Sequence, residues 1–247
     1  TVTITGGTFN LNVSGAQSKG ISSKGNMTIS GGNFSTTISG ATVLTASGSG
    51  FDPSYCTAFK SDGIIAISNG TFVVNSLVGA NGGKGFSADG EINISGGIFT
   101  TNTAGNGGNY TNISGIADSF STASFTSDNN INISGGTFTI TNTGADGKGI
   151  STDLNVTISG TAQITITNSG ASGKAIKADG NITVDGGTTT ANLSGATVLT
   201  ASGSGFDPSY PSGLKATGTI TINSGTVTVT GTSTATGTKG ISADGNI

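Results

Sequence analysis

The sequence of 247 residues contains no histidine, arginine or tryptophan, and it has one cysteine and three prolines. Histidine is the commonest general base and a frequent metal ligand, so its absence removes the usual catalytic centres. Nine lysines and twelve acidic residues leave a net charge of −3 and no basic surface, which excludes nucleic acid as a partner. Long apolar runs are also missing, so we expect no membrane insertion. Cys56 has no partner for a disulfide, and we expect a small buried side chain.

Glycine is abundant instead, with 44 residues, and it belongs to a repeated phrase of the type KGISADG followed by alternating isoleucines and a Gly-Gly pair. Successive copies lie 25–27 or 38–39 residues apart, so the unit has about 26 residues and three intervals carry about a dozen more. The repeat predicts a single domain over residues 1–247, taken from a longer repetitive chain. The first apolar residue of each copy is Ile21, Phe59, Phe86, Phe125, Ile150, Ile176, Leu214 or Ile241.

Each unit reads as three short strands separated by turns. Apolar residues alternate with Thr, Asn or Ser, as in Ile92/Ile94 and Phe138/Ile140, which is the period of a half-buried strand. Repeated units of short strands without helices predict an all-β fold, a right-handed parallel β-helix of eight coils with three long corner insertions. Stacked coils should place like residues on like, and we expect one interior stack of Phe9, Phe34, Phe72, Phe99 and Phe138.

The three insertions, at 41–57, 104–122 and 196–212, are the first candidate site. Residues 39–55 recur identically at 194–210, so the first and third insertions share most of their sequence. Aromatic rings near carboxylates on protruding loops suit hydroxylated ligands such as sugars, and the first two loops should lie about 10 Å apart along the rod. The alternative is a self-packed loop whose rings cover a coil edge. The candidate carbohydrate-binding residues are Phe51, Asp52, Tyr55, Tyr110, Asp118, Phe120, Phe206, Asp207 and Tyr210.

A column of turn aspartates is the second candidate site. Stacked carboxylates repel unless cations lie between them, and oxygen ligands suit calcium. The alternative is that Asp before Gly simply favours the turn, with Lys84, Lys148 and Lys174 five residues upstream balancing the charge. The candidate metal ligands are Asp62, Asp89, Asp128, Asp153 and Asp179.

The sequence gives weaker support to two further functions, ice binding and catalysis. Outward Thr-x-Thr patterns such as Thr137/Thr139/Thr141 are typical of ice-binding solenoids, although threonine is also a good outward strand residue. Catalysis without histidine or arginine would need paired carboxylates or a carboxylate–metal site, and the lysines follow the repeat instead of converging on one place. We therefore expect a protein that is not an enzyme.

The KGISADG units and the insertion GSGFDPSYCTAFKSDG together resemble the bacterial extracellular family of carbohydrate-binding, pectate-lyase-like β-helices. The resemblance covers essentially the whole chain. It implies a secreted or surface protein with calcium as cofactor, which binds polysaccharide without cleaving it. The alternative is a structural rod, a stalk or filament subunit, with further coils or identical copies stacked at both ends.

Overall fold

The computed structural model describes residues 1–232 and 237–247, which form strands and turns without a helix. In this part of the chain, therefore, no helix is long and apolar enough to span a membrane. The strands of the first half are β1 (Val2–Ile4), β2 (Thr8–Val13), β3 (Lys19–Ser23), β4 (Met27–Ile29), β5 (Asn33–Ile38), β6 (Val43–Ser47), β7 (Gly50–Ser54), β8 (Thr57–Ser61), β9 (Ile65–Ile67), β10 (Thr71–Ser76), β11 (Lys84–Ala88), β12 (Ile92–Ile94) and β13 (Ile98–Thr103). Those of the second half are β14 (Gly108–Thr111), β15 (Ala117–Phe120), β16 (Ala123–Ser127), β17 (Ile131–Ile133), β18 (Thr137–Asn142), β19 (Lys148–Thr152), β20 (Val156–Asn168), β21 (Lys174–Ala178), β22 (Ile182–Leu193), β23 (Val198–Ser202), β24 (Gly205–Ser209), β25 (Ser212–Ala216), β26 (Ile220–Gly231) and β27 (Lys239–Ala243).

Two large parallel sheets organise these strands. One sheet has the order β27-β25-β21-β19-β16-β11-β8-β3, and β3, β11, β19, β21 and β27 begin with the lysine of the repeat. The other has two arms, β1-β4-β9-β12-β17 and β18-β13-β10-β5-β2, which meet at β20 and continue through β22 and β26. Every pairing within these two sheets joins strands from successive repeats. The all-β, parallel architecture agrees with the sequence and is compatible with a β-solenoid.

Like residues stack on like, as predicted. Phe9, Phe34, Phe72, Phe99 and Phe138 form one ladder of parallel rings whose centroids lie 4.6–4.8 Å apart. A second ladder of Phe59, Phe86 and Phe125 belongs to the eight-stranded sheet. The two ladders meet edge to face, for example Phe72 and Phe86 at 5.5 Å, which is a favourable geometry for aromatic quadrupoles. The core therefore lies between the sheets and runs along their whole stack.

Asparagine side chains in the turns form hydrogen bonds between neighbouring repeats. The Oδ1 atom of Asn155 accepts a hydrogen bond from the backbone N–H of Asn181, and Asn181 Oδ1 accepts one from Thr219 N–H, at 2.8 and 2.7 Å. Asn26 does the same for Ile64, at 3.0 Å. The backbone N–H groups of these turns have no partner in a strand, and the asparagine side chains supply the hydrogen bond that a buried or half-buried N–H group requires.

One corner differs from the sequence prediction. We expected the Gly-Gly pair of the repeat to turn the chain, yet β22 runs through Gly186-Gly187 as one strand, and β20 and β26 continue through the same corner. Residues 159–163 contain one residue more than the corresponding segment 134–137, and the register between β20 and β22 shifts there, at Gly160/Gln163. The extra residue is absorbed as a bulge, which bends a strand without ending it.

Cys56 is fully buried, as expected, with its Sγ atom 3.7 Å from the carbonyl oxygen of Val13. Burial raises the pKa of the Cys56 thiol, so the side chain behaves as a small apolar group.

Candidate functional site

Each insertion forms an antiparallel β-hairpin, where the sequence predicted only a protruding loop. The first hairpin pairs β6 with β7, the second pairs β14 with β15, and the third pairs β23 with β24. The first closes over a two-residue loop, Gly48-Ser49, with Gly48 at φ 57°, as expected of a type II′ turn. The Gly-Ser pair between alternating segments was the sequence signal for this hairpin.

The first and second hairpins contact each other directly, so they are closer than the 10 Å expected from their spacing along the chain. The backbone N–H of Ser49 donates to the carbonyl oxygen of Ile113 at 2.9 Å. Phe51 and Asn112 form a parallel bridge beside this bond. The two hairpins therefore act as one raised unit on the rod.

A small aromatic cluster lies at the base of these hairpins. The ring of Phe120 lies between Tyr55 and Tyr110, with 6.3 Å between centroids in both pairs. Tyr110 donates its hydroxyl to Asp118 Oδ2 at 3.1 Å, and Ser119 N–H donates to Asp118 Oδ1 at 2.7 Å. The bond from Ser119 is the main reason that the pKa of Asp118 lies below its ordinary value. Tyr110 and Asp118 thus form a fixed polar pair at the surface.

Lys84 joins the two hairpins from below. Its ammonium group lies 4.6 Å from the centre of the Tyr55 ring and donates to the carbonyl oxygen of Ser121. Burial lowers the pKa of Lys84 to about 7 and raises the pKa of Tyr55 above its ordinary range. Because Lys84 and Phe120 contact Tyr55, this ring packs partly against the protein. Phe51 remains 40% exposed and is open to a ligand.

A groove runs beneath the hairpins, along the outer face of the eight-stranded sheet. Its wall is formed by Tyr55, Tyr110 and Phe120, and its opposite rim by the turn aspartates. The floor consists of outward side chains of successive strands, which are Ser87, Thr126, Ser151 and Lys177. Further depressions, which share Phe120 and then Lys174 and Ser209, continue the groove to the third hairpin.

The floor of the groove was missed by the sequence analysis. The signal was present in the sequence. Side chains alternate between the core and the outside along each strand of this sheet, and the fourth residue of the strand points outward. Reading that position in every repeat gives a polar column of Ser22, Lys60, Ser87, Thr126, Ser151, Lys177, Lys215 and Ser242.

The turn aspartates lie along one rim of the groove, and lysines of the floor pair with several of them. Lys60 lies 3.5 Å from Asp62 and also bonds Asp89, while Lys177 lies 2.6 Å from Asp179. The charges of Asp128 and Asp153 act on Lys84, and that of Asp179 acts on Lys148, in line with the charge balance expected of these upstream lysines. The ammonium groups of Lys84 and Lys174 also donate to the carbonyl oxygens of Ser121 and Ser172.

Asp128 and Asp153 lie in the middle of the column, where the floor carries Thr126 and Ser151 in place of lysine. Burial, with Asp89 and Asp153 nearby, raises the pKa of Asp128. Within the described residues, no three acidic, histidine or cysteine side chains are grouped so that they could hold a metal ion. Calcium binding by Asp62, Asp89, Asp128, Asp153 and Asp179 stays a prediction.

The third hairpin stands apart from the first two but sits on the rod in the same way. Lys239 lies 4.5 Å from the centre of the Tyr210 ring, which repeats the contact between Lys84 and Tyr55. Lys174 also reaches it, with Nζ 3.3 Å from Ser209 Oγ. Phe206 is 68% exposed and Asp207 is exposed beside it.

The outward threonines of the other sheet are in register. Thr139, Thr165, Thr190 and Thr228 pair across β18, β20, β22 and β26. Gln163 and Asn192 interrupt the neighbouring columns. The array is on a different face from the groove.

Comparisons with known proteins give one family. The family described as "carbohydrate-binding domain-containing protein" matches residues 1–170, which is most of the chain. The chain therefore belongs to this family, and its membership supports carbohydrate binding. No curated protein matches the chain, and no solved structure matches it.

Proposed function

We propose that this protein is an extracellular, non-catalytic polysaccharide-binding protein, and that its ligand lies in the groove beneath the hairpins. The observation that carries the proposal is the composition of this groove, with aromatic rings on one wall and a polar floor. Sugars present apolar ring faces and many hydroxyl groups, so they suit a surface that offers both kinds of contact. Family membership supports the ligand class.

The groove favours a long ligand over a single sugar. It extends from the first two hairpins to Lys174 and Ser209 at the third, so several sugar units would contact the protein at once. Each ring face covered by an aromatic side chain adds roughly 1–2 kcal/mol. Linked contacts then strengthen binding through effective concentration, and we expect retention of polymers with little binding of monosaccharides.

Several charged side chains of the groove are engaged by partners within the protein, which argues against a catalytic role for them. Lys84 is held by the carbonyl oxygen of Ser121, Lys177 by Asp179, and Asp118 by Tyr110 and Ser119. We therefore propose binding without cleavage. Incubation with a retained polysaccharide should release no new reducing ends.

Thr126→Trp is the sharpest test, because Thr126 is a small outward residue in the floor of the groove. The indole would occupy the place of a sugar unit, and retention in an affinity gel containing the polysaccharide should be lost. Thr139→Trp is the matched control, since Thr139 is an exposed outward residue of the other sheet. Both variants should keep the wild-type melting temperature.

Equal retention of the folded Thr126→Trp variant and the control would place the site elsewhere. If a broad panel of neutral and charged polysaccharides fails to retain the wild-type protein, the proposed function is wrong.

A structural role is the second candidate. Ladders of stacked side chains, such as the phenylalanines and isoleucines, run from repeat to repeat, and such a stack is suited to act as a stalk. A protein with only this structural role would bind none of the polysaccharides, and Thr126→Trp would not change its behaviour in the affinity gel.

A further inference from the structure

One lysine of the repeat begins several strands of the eight-stranded sheet, and the protein engages its ammonium group in four of five copies. The lysines at this position are Lys19, Lys84, Lys148, Lys174 and Lys239. Lys19 and Lys84 donate to backbone carbonyl oxygens. Lys239 lies 4.5 Å from the centre of the Tyr210 ring. In residues 1–232 and 237–247, the ammonium group of Lys148 has neither a hydrogen bond nor a direct ion pair.

The position of the hairpins explains this difference. Lys174 pairs in register with Lys148 on the neighbouring strand. Its ammonium group donates to the carbonyl oxygen of Ser172 and lies 3.3 Å from Ser209 Oγ, which belongs to the third hairpin. The strand beyond Lys174 is β25, which follows that hairpin, whereas the strand beyond Lys148 is β21, which the chain enters directly from the turn at 169–173. Lys148 therefore lacks the acceptor that a hairpin supplies to Lys174.

Lys148 is partly exposed and lines the depression between the second and third hairpins, which has a volume of about 260 Å³. Phe120 forms one side of this depression, and Lys174 and Lys177 also line it. Because β19 pairs with β16 on one side and with β21 on the other, Lys148 lies inside the stack and not at its end. A depression of this size admits a small ligand or one unit of a polymer.

The charged groups that act on Lys148 are Lys177, Asp179, Lys174 and Asp146. Burial, followed by the ammonium group of Lys177, lowers the pKa of Lys148 to about 8. An amine that is desolvated or lies near another cation becomes neutral, and hence nucleophilic, closer to neutral pH than an ordinary lysine. Lys148 thus combines a nucleophilic amine with an open approach.

We propose that Lys148 is a covalent attachment site for aldehydes, including the open-chain form of a reducing sugar. The Nζ lone pair forms a bond to the carbonyl carbon, the C=O bond breaks, and the oxygen leaves as water with the two protons of the amine. The product is an imine, which water hydrolyses again, so attachment is reversible. This reaction goes beyond retention of polysaccharide and needs no bound polymer.

The probe is glyceraldehyde with cyanoborohydride, which reduces the imine to a stable secondary amine, and peptide mapping by mass spectrometry locates the labelled lysines. In the folded full chain at about pH 7.5, where ordinary lysines are protonated, Lys148 should be labelled at least tenfold faster than the exposed Lys24. It should also be labelled faster than Lys174, whose ammonium group is held, and than Lys84, which is buried. In denaturant the four lysines should react at similar rates.

Ser119→Trp tests whether the depression gives access to the amine. Ser119 lines the depression, so the indole should slow the labelling of Lys148 and leave that of Lys24 unchanged. Ser114→Trp is the matched control, since Ser114 is an exposed serine at the tip of the same hairpin. At about pH 10.5 the advantage of Lys148 over Lys24 should shrink, because ordinary lysines lose their protons as well.

Two results would overturn the proposal. One is labelling of Lys148 no faster than that of Lys24 in the folded protein. The other is equal labelling of Lys148 and Lys174, which would show that the missing acceptor does not set the reactivity. Labelling is measured without polysaccharide, so failure of this site and failure of the polysaccharide groove give different results.

Discussion

At the scale of single residues, the core is unusual in holding threonines among its apolar ladders. Leu11, Thr36, Val74 and Thr101 occupy one interior column, in register across β2, β5, β10 and β13. The hydroxyl of Thr101 donates to Ser124 Oγ at 2.9 Å. The equally buried hydroxyl of Thr36 has no hydrogen-bond partner in the described part of the chain. A buried hydroxyl without a partner lowers stability, because it has lost its bonds to water.

Thr36→Val should therefore stabilise the protein. Valine has nearly the shape of threonine and leaves no polar atom to desolvate, so we expect the free energy of unfolding to rise by about 1 kcal/mol. Denaturant unfolding measures the change through its midpoint. Thr101→Val is the matched control, and it should lower the stability because it breaks the bond to Ser124. A lower midpoint for Thr36→Val would show that its hydroxyl has a partner in solution.

At the scale of elements, each hairpin is tied to the strand below it by a lysine that begins that strand. Lys84 is the most buried of these lysines, and burial lowers its pKa to about 7, from an ordinary value of 10.5. Lys148 and Lys174 have pKa values lowered to about 8, again because of burial. Lys148, Asp128 and Asp153 are the charged groups that act on Lys84. The base of the groove thus loses positive charge above neutral pH.

Stability should consequently rise with pH between about 7 and 9.5. In this window the unfolded chain holds the proton of Lys84 and the folded chain releases it, so the free energy of unfolding increases with pH. Lys84→Met should make the rise in melting temperature smaller, since methionine does not titrate and only Lys148 and Lys174 then contribute. The exposed Lys24→Met should keep the wild-type slope. A slope that is identical in all three proteins would exclude Lys84 as its origin.

The column of turn aspartates is the other element whose charge has a measurable effect. The raised pKa of Asp128 shows that its carboxylate is disfavoured by burial and by its neighbours Asp89 and Asp153. Asp128→Asn should raise the melting temperature at pH 7 in the presence of a chelator, and the gain should vanish at acidic pH, where Asp128 is protonated. Asp185→Asn, which lies outside the column and pairs with Asn223, is the control.

Calcium is tested in the same experiment. If the column binds it, added calcium raises the wild-type melting temperature by mass action and has a smaller effect on Asp128→Asn. Identical wild-type melting curves with calcium and with chelator would leave the aspartates as turn residues.

At the scale of the whole molecule, the ladders are covered along their length and are less covered at the outermost strands. Phe9 and Leu11 of β2 are half-buried, while their counterparts Phe34 and Thr36 are buried. Val227 and Val229 occupy the same columns in β26 and are also half-buried. Unpaired strand edges beside apolar side chains favour pairing with another chain.

A polypeptide of residues 1–247 should therefore associate end to end at high concentration. Sedimentation velocity should show a weight-average coefficient that increases with concentration, and Phe9→Lys should suppress the increase by placing a charge in the contact. Ile98→Lys, at an exposed position on the side of the rod, should have no effect. Head-to-tail contacts do not form a closed ring, so the assembly should grow with concentration. A monomer at all concentrations would rule out stacking through these edges.

The sequence by itself determined the repeating architecture of this protein. Period-two alternation fixed which side chains face the core, and the constant unit length fixed which residues lie above one another, so the Phe9–Phe138 ladder was predicted residue by residue. The position of the insertions before strands β8, β16 and β25 followed from the same count.

The candidate site was decided by the tertiary structure. Spacing along the chain could not show that the first two hairpins lean together, that Lys84 and Phe120 contact Tyr55, or that lysines two residues upstream pair with the turn aspartates. Those contacts depend on the direction in which each side chain leaves a corner and on the path of the hairpins above it. Neither is periodic in the sequence, because the repeat encodes pairing within the sheets, while the groove is formed between a sheet and the segments that interrupt the repeat.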